Sequence, residues 1–492
     1  MSEPELTAED LGRVHLIGVG GVGMSALARL LLTRGIPTSG SELHDWPSLP
    51  ELAGLGGVIY REHVPGNLDG VDTVVYSTAI PQDHLEMVEA RRRGVRVLHR
   101  SEALAAAMCQ RTAIVVAGTH GKTTTSSMIT LVLQRCGWDP SYVIGGEITG
   151  HPGRAASNAH HGAGEHFVAE ADEADRSFLR YRPDIGIVTN IDADHLNTYG
   201  DMAGLHQAFL EFAQRIRPGG FLVACADDPG ARKLIDQARQ AQITTLTYGE
   251  SQDADLRLSK VSSSAAGVRY HAALDGVELG EFTVPSPGRH LGLNSAAAVL
   301  TAVKLGLPAE QVAQALSGFP GVRRRFELKG VVDQVRVYDE YAYHPTSMLL
   351  AMQTLREVAG AGRLIVVFQP YRVYRTRDLE AEIAEALGLA DLAVVMEVFG
   401  PGETRAEGEG GASLTRALPL PEGQKLFVPE WSDVVRHVSA RARPGDVVVT
   451  MGAPPISLMG DELLAALAAR PGASRPDADA GEADQLPGDS RS

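Results

Sequence analysis

Apolar positions in this chain fall into short runs of four to six residues separated by amphipathic or turn-rich stretches, the spacing of buried parallel strands alternating with helices. The first run is Val14-His-Leu-Ile17, followed at once by Gly18-Val-Gly-Gly-Val-Gly23 and a helical pattern over residues 24–33. Further strands are predicted over residues 73–76 and 95–98, so residues 11 to about 110 read as one small α/β unit. A second unit opens with Thr112-Ala-Ile-Val-Val116 and continues with predicted strands at 166–170 and 185–190. Residues 256–284 change to short alternating strands with Asp275-Gly276 as a hairpin turn, and the alanine-rich stretch 294–305, closed by Gly306, reads as a helix. A third α/β unit follows, with strands predicted near 335–338, 364–368, 392–396 and 447–450. Beyond residue 470 no apolar period survives, which predicts a disordered tail over 471–492.

The chemistry concentrates where the second unit begins. Ala117-Gly-Thr-His-Gly-Lys-Thr-Thr-Thr125 lies between an apolar run and an amphipathic one, and a strand running through a glycine turn into a helix aims backbone N–H groups at an anion. Lys122 adds mobile positive charge and Thr123 a hydroxyl suited to magnesium, so the stretch reads as a triphosphate loop, shorter than the usual pattern because Val116 stands where glycine is expected. Ligands of open parallel sheets sit beyond the carboxyl ends of strands, so Glu170, Asp172, Asn190, Asp194 and His195 are expected to converge on this loop. The stretch 145–165 reads as a mobile loop, with His160-His161 solvated and without an acidic partner. The earlier G-x-G-x-x-G turn, with Glu42 downstream, fits a dinucleotide fold when taken alone.

Length and charge narrow the classes. A chain of 492 residues exceeds one core, and the prior of about 150 residues per domain gives three. The net charge of −16 excludes a nucleic-acid partner, no apolar run approaches the roughly 18 residues of a membrane span, and the acidic N-terminus is unlike a secretory signal. The expected location is the cytoplasm, consistent with three scattered cysteines, Cys109, Cys136 and Cys225, that form no metal motif.

Taken together, Gly18-Val-Gly-Gly-Val-Gly-Met-Ser25, Gly118-Thr-His-Gly-Lys-Thr-Thr-Thr125, Glu170-Ala-Asp-Glu173, Thr189-Asn-Ile-Asp-Ala-Asp-His195, Gly321-Val-Arg-Arg-Arg-Phe-Glu327 and Phe368-Gln-Pro370 with Arg372, Arg375 and Thr376 resemble the Mur ligase family, in order and over residues 11 to 465. The resemblance implies an α/β fold of three domains: a Rossmann-like UDP-sugar domain at 1–110, a central P-loop ATPase domain with a mainly parallel sheet at 111–320, and a Rossmann-like amino-acid domain at 321–470. It implies an ATP-dependent ligase that activates the carboxylate of UDP-N-acetylmuramic acid as an acyl phosphate and joins it to an amino acid, L-alanine being expected, in peptidoglycan precursor synthesis. ATP and Mg²⁺ are the implied cofactors, and the implied assembly is a monomer or homodimer.

By the same resemblance Lys122, Glu170, His195 and Arg325 are the catalytic set, and Thr123, Glu170 and His195 hold the metal. ATP would meet Gly118, Thr119, His120, Gly121, Lys122, Thr123, Thr124, Asn190 and Asn294. The glycine turn is re-read as a UDP-sugar site made of Gly20, Gly21, Gly23, Met24, Ser25, Ser41, Glu42, Ser77 and Thr78. The acceptor pocket would comprise Tyr341, Tyr343, His344, Tyr371, Arg372 and Arg375.

Departures from the family pattern gather in the third unit. Two histidines are replaced by Tyr343 and Tyr371, a glycine-aspartate loop has become Gly452-Ala-Pro-Pro455, and Leu291 stands where asparagine follows the histidine. Either L-alanine enters a rearranged pocket or a specialised paralogue uses another amine; a catalytically silent sugar-nucleotide binder is the reading from a different class.

Overall fold

A computed structural model describes residues 5–148, 157–400, 402–404, 406 and 409–470. The first compact unit ends at Val322 and the second begins at Arg323. The tail expected to be disordered lies outside the described residues.

The first unit carries two sheets. Its N-terminal sheet has five parallel strands in the order Val58–Tyr60, Thr38–Ser41, Val14–Ile17, Thr73–Tyr76 and Arg96–His99. The chain winds outward in both directions from Val14–Ile17, so the Gly18–Gly23 turn sits at the point where strand order reverses, the place such sheets keep for ligands. Helix Val22–Thr33 follows the turn directly.

The second sheet has ten strands, and Thr112–Ala117 lies at its centre between Ile185–Val188 and His166–Glu170, parallel to both. Alternation along Thr112–Ala117 explains its apolar composition. Ile114 and Val116 join the core under helices Lys122–Arg135 and Arg289–Lys304, whereas Ala113, Val115 and Ala117 join the opposite core with Phe178, Phe209 and Phe212. That opposite core also holds Leu30, Leu31, Leu104 and Met108 from the N-terminal helices, so the two sheets of this unit share apolar packing. The expected hairpin is present: Asp275 and Gly276, at φ +51° and +80°, join Gly267–Leu274 to Val277–Val284.

Three expectations are corrected. Part of the stretch read as a mobile loop is regular, since Ser141–Ile148 and Ser157–His160 pair as antiparallel strands. His160, expected to have no acidic partner, meets Asp139 from outside the loop at 3.0 Å. The helix expected from residue 294 begins five residues earlier, at Arg289, because Gly288 at φ +120° turns the chain and Leu291, 6 % exposed, packs into the core.

The second unit has a six-stranded sheet in the order Glu327–Val332, Val335–Glu340, Val447–Gly452, Leu364–Gln369, Leu392–Val395 and Lys425–Phe427, parallel except for the first pair. Among the described residues, no helix is long and apolar enough to cross a membrane.

Candidate active site

The triphosphate loop takes its shape from its two glycines. Gly118 sits at φ +128°, and a Cβ there would overlap the Thr189 hydroxyl and lie 3.0 Å from the Thr189 backbone N. Gly121, at φ +81°, caps helix Lys122–Arg135, and a Cβ on it would lie 2.6 Å from the Asn294 side-chain oxygen. Both positions therefore need glycine for conformation and for space. Asn294, named from the resemblance, is thereby placed against the loop.

The strands on either side fix the loop. Asn190 accepts from the His120 N–H at 2.7 Å through its side-chain oxygen, and its amide donates to the His120 carbonyl at 3.0 Å. Thr189 donates to the same carbonyl at 2.6 Å, and the Thr119 hydroxyl accepts from the Asp192 N–H at 2.9 Å. On the other flank, Glu170 at the end of its strand accepts from the Thr123 hydroxyl at 3.0 Å and from the Gly145 N–H at 2.7 Å. Thr124 is buried in the helix.

Lys122 Nζ is turned back into the loop. It donates to the Gly118 carbonyl at 2.7 Å, the Thr119 carbonyl at 3.2 Å and the two Glu173 oxygens at 2.8 and 3.1 Å. Burial alone would lower the pKa of this lysine, but Glu173, Asp172 and Glu170 hold it above its ordinary value. Burial likewise pushes Glu173 up to about 7, against the attraction of Lys122. His195, at φ +54°, caps the short helix Leu196–Tyr199 and lies 3.6 Å from Asp194. That helix is tied to the Glu170–Asp175 segment, since the Tyr199 hydroxyl donates to the Glu173 carbonyl and Thr198 donates to the Ala174 carbonyl at 2.9 Å.

In the N-terminal sheet the glycine turn is braced from below. The Gly18 N–H donates to the Ser41 carbonyl at 2.9 Å. Glu42, only 7 % exposed, turns its carboxylate back onto the turn, accepting from the Gly20 N–H at 3.2 Å and the His44 N–H at 3.0 Å. Met24 and Ser25 are buried in the helix, with Ser25 donating to the Val22 carbonyl at 3.1 Å. Ser41 is also buried, donating to Glu86 at 2.7 Å. Gly20 and Gly23 admit close neighbours, because a Cβ on either would overlap Trp46 or Arg100 respectively. Ser77 is half-buried, and Thr78 donates to Asp175, in the turn that follows strand His166–Glu170, and lies 3.1 Å from His99 Nε2.

Three family models match in order: "Mur ligase family, catalytic domain" over residues 13–112, "Mur ligase middle domain" over 116–302 and "Mur ligase, glutamate ligase domain" over 324–454. A UDP-N-acetylmuramate–L-alanine ligase of Salinispora arenicola is 66% identical over 466 residues, 95% of this chain and 90% of that protein. The chain belongs to the Mur ligase family. A second ligase of that name, from Acidothermus cellulolyticus, is 49% identical over 91% of this chain and 93% of its own length. Among solved structures, the UDP-N-acetylmuramate–alanine ligase of Thermotoga maritima superposes with a TM-score of 0.77 at 26% identity, covering 92% of this chain and 98% of its own. The murein peptide ligase of Psychrobacter arcticus shares the fold, with a TM-score of 0.69 at 22% identity.

The Mur ligase positions of the second unit form an arginine–tyrosine ladder. Tyr341 packs against both Arg324 and Arg325, whose guanidinium carbons stand 4.6 and 4.9 Å from its ring centroid. The ladder continues through Tyr343, 5.4 Å from Tyr341, to Tyr371, 5.5 Å further, with buried Arg375 over Tyr343 at 4.8 Å and Arg372 over Tyr371 at 5.3 Å. Arg325 donates to the Tyr341 carbonyl at 3.2 Å, and buried His344 caps helix Pro345–Ala359. Beneath the ladder, burial pushes Glu340 up to about 7 despite the attraction of Arg325, and its carboxylate accepts from the Phe326 N–H at 2.7 Å.

Glu173, Thr189 and Asp192 lie inside the motifs, but nothing in the sequence pattern assigns them roles. The available signal was their place just past the ends of strands flanking the loop. Asp175, which joins the central sheet to Thr78, carried no signal beyond that same segment.

Proposed function

We propose that this chain is an ATP-dependent ligase that joins the carboxylate of UDP-N-acetylmuramate to L-alanine through an acyl phosphate, releasing ADP and phosphate, as a cytoplasmic step of peptidoglycan precursor synthesis. The observation that carries this reading is the strand-centred loop with Lys122 and Thr123 beside Glu170, in a chain 66% identical over 95% of its length to a ligase of that name. Residues 1–110 take the UDP-sugar, 111–320 the ATP and 321–470 the amino acid.

Attack of the sugar carboxylate on the γ-phosphate gathers several anions, so catalysis is charge neutralisation and alignment with no protein nucleophile. Lys122 and the helix N-terminus behind Gly121 hold the β- and γ-phosphates. Thr123, Glu170 and His195 would hold Mg²⁺: a hydroxyl beside a carboxylate, with oxygen ligands in the majority, fits a hard dication, and the ion there neutralises phosphate charge. Glu170→Gln keeps the shape and removes the charge. The magnesium concentration for half-maximal rate is expected to rise about tenfold or more; an unchanged titration makes Glu170 structural.

Stoichiometric release of ADP and phosphate that requires both UDP-N-acetylmuramate and an amino acid tests the reaction class. Nucleotide binding without turnover would instead make the chain a silent binder. A second reading of the acceptor site is favoured by the tyrosine ladder, whose aromatic faces replace two bases of the family pattern and add bulk. Under that reading another amine is the preferred acceptor, and converting Tyr343→His together with Tyr371→His is expected to raise kcat/KM for L-alanine relative to that acceptor by about tenfold. An unchanged ratio would show that the ladder does not select the acceptor.

A further inference from the structure

We propose that Glu173 is a resident counter-ion that occupies Lys122 in the nucleotide-free protein and competes with the incoming phosphate for it, so that nucleotide binds by exchange. The inference rests on the reading above that the loop takes ATP. Four acceptors surround Lys122 Nζ, and the closest charged one is Glu173, at 2.8 and 3.1 Å through both oxygens. A γ-phosphoryl group needs this ammonium's donors, and three N–H groups already shared among four acceptors cannot satisfy a carboxylate and a phosphoryl group in full at once.

Glu173 has little freedom to withdraw. It is 2 % exposed, its carbonyl accepts from the Tyr199 hydroxyl and from the Arg176 N–H at 3.1 Å, and the neighbouring Ala174 N–H donates to Asp172 at 3.0 Å. The backbone is thus held from the helix Leu196–Tyr199 side and by its own turn. A buried carboxylate fixed beside the phosphate subsite stabilises the lysine while the site is without nucleotide, and once phosphate arrives it both gives up its partner and faces a like charge. Pairing of Lys122 with Glu173 therefore sets the nucleotide affinity below what the loop alone would give.

The sequence fits this role. Glu170 and Glu173 are three residues apart at the end of one strand, yet they divide the loop between them: Glu170 takes the Thr123 hydroxyl at 3.0 Å, and Glu173 takes the lysine. The first carboxylate is placed for a cation that accompanies ATP, the second for the cation that ATP must win.

The test is the affinity of the full-length protein for ATP, measured by titration calorimetry on wild type, Glu173→Gln and Glu173→Asp, with steady-state KM and kcat alongside. Glu173→Gln is expected to bind ATP about tenfold tighter than wild type, since a charge-assisted competitor is removed. It should also lower the KM for ATP without moving the KM for UDP-N-acetylmuramate. Its nucleotide-free melting temperature should fall, and the rise on adding ATP should exceed that of wild type, because buried Lys122 has lost its closest anion. Glu173→Asp, which keeps the charge but draws it back by one methylene, should lie between the two and carries the test should the glutamine variant not fold. Equal or weaker ATP binding by the variants, with wild type binding normally, overturns the exchange role and leaves the ligase reading standing. Failure of wild type to bind ATP at all overturns both.

Discussion

Replacing Lys122 with alanine is expected to reduce ligation at least a hundredfold while leaving UDP-sugar affinity near wild type. The lysine is the loop's only side-chain cation, and losing a charge-assisted contact to a transferring phosphoryl group costs about 3 kcal/mol or more. The glycine turn Gly18–Gly23 belongs to a different sheet and is braced by Ser41 and Glu42, none of which touches Lys122 through the bonds described above. Initial rates at saturating substrates and a UDP-sugar titration measure the two effects separately. A variant that retains more than a tenth of the activity removes Lys122 from the mechanism.

Gly118→Ala is expected to abolish ATP-dependent activity with comparable force, for a reason that is steric. At φ +128° an L side chain is strained, and the added Cβ meets both the hydroxyl and the backbone of Thr189, the residue that holds the His120 carbonyl. Moving the loop to relieve that overlap displaces Lys122 and Thr123 from their partners, and a shift on the order of 1 Å at a phosphate site costs about a hundredfold. Thr189→Ala in the same chain removes the hydroxyl but neither the strain at φ +128° nor the backbone N 3.0 Å away, so it should restore little. Full recovery of rate in that double variant would show that the hydroxyl alone dictates glycine at this position.

The strands that bracket the loop were legible because burial on both faces writes itself as continuous apolar sequence. Thr112–Ala117, His166–Glu170 and Ile185–Val188 all follow that rule. Thr38–Ser41 does not: Thr-Ser-Gly-Ser is small and polar, and it forms an interior strand because its neighbours Val14–Ile17 and Val58–Tyr60 cover its backbone. Ser157–His160 escaped for the same reason, as an edge strand with no apolar period.

In the site, spacing located the phosphate loop and Glu170 but gave Glu173 no role. Glu170 and Glu173 look alike in sequence, and only the fold shows one on the Thr123 hydroxyl and the other on the Lys122 ammonium. Similarly, Glu42 reads as a ligand contact from its distance to the glycine turn, and only the fold shows that its carboxylate also accepts from the Gly20 and His44 N–H groups. Long-range partners such as Thr78 and Asp175 are set by how two sheets pack and leave no local trace.

The most direct measurement is the mass of the product formed when the protein is given ATP, magnesium, UDP-N-acetylmuramate and each amino acid of a panel in turn. The account predicts a single principal product, UDP-N-acetylmuramate heavier by one alanyl residue, formed with one phosphate released per amide bond and absent when ATP, the UDP-sugar or the amino acid is left out. A product carrying a different amino acid in preference to alanine, or ATP consumption with no amide product, would contradict it.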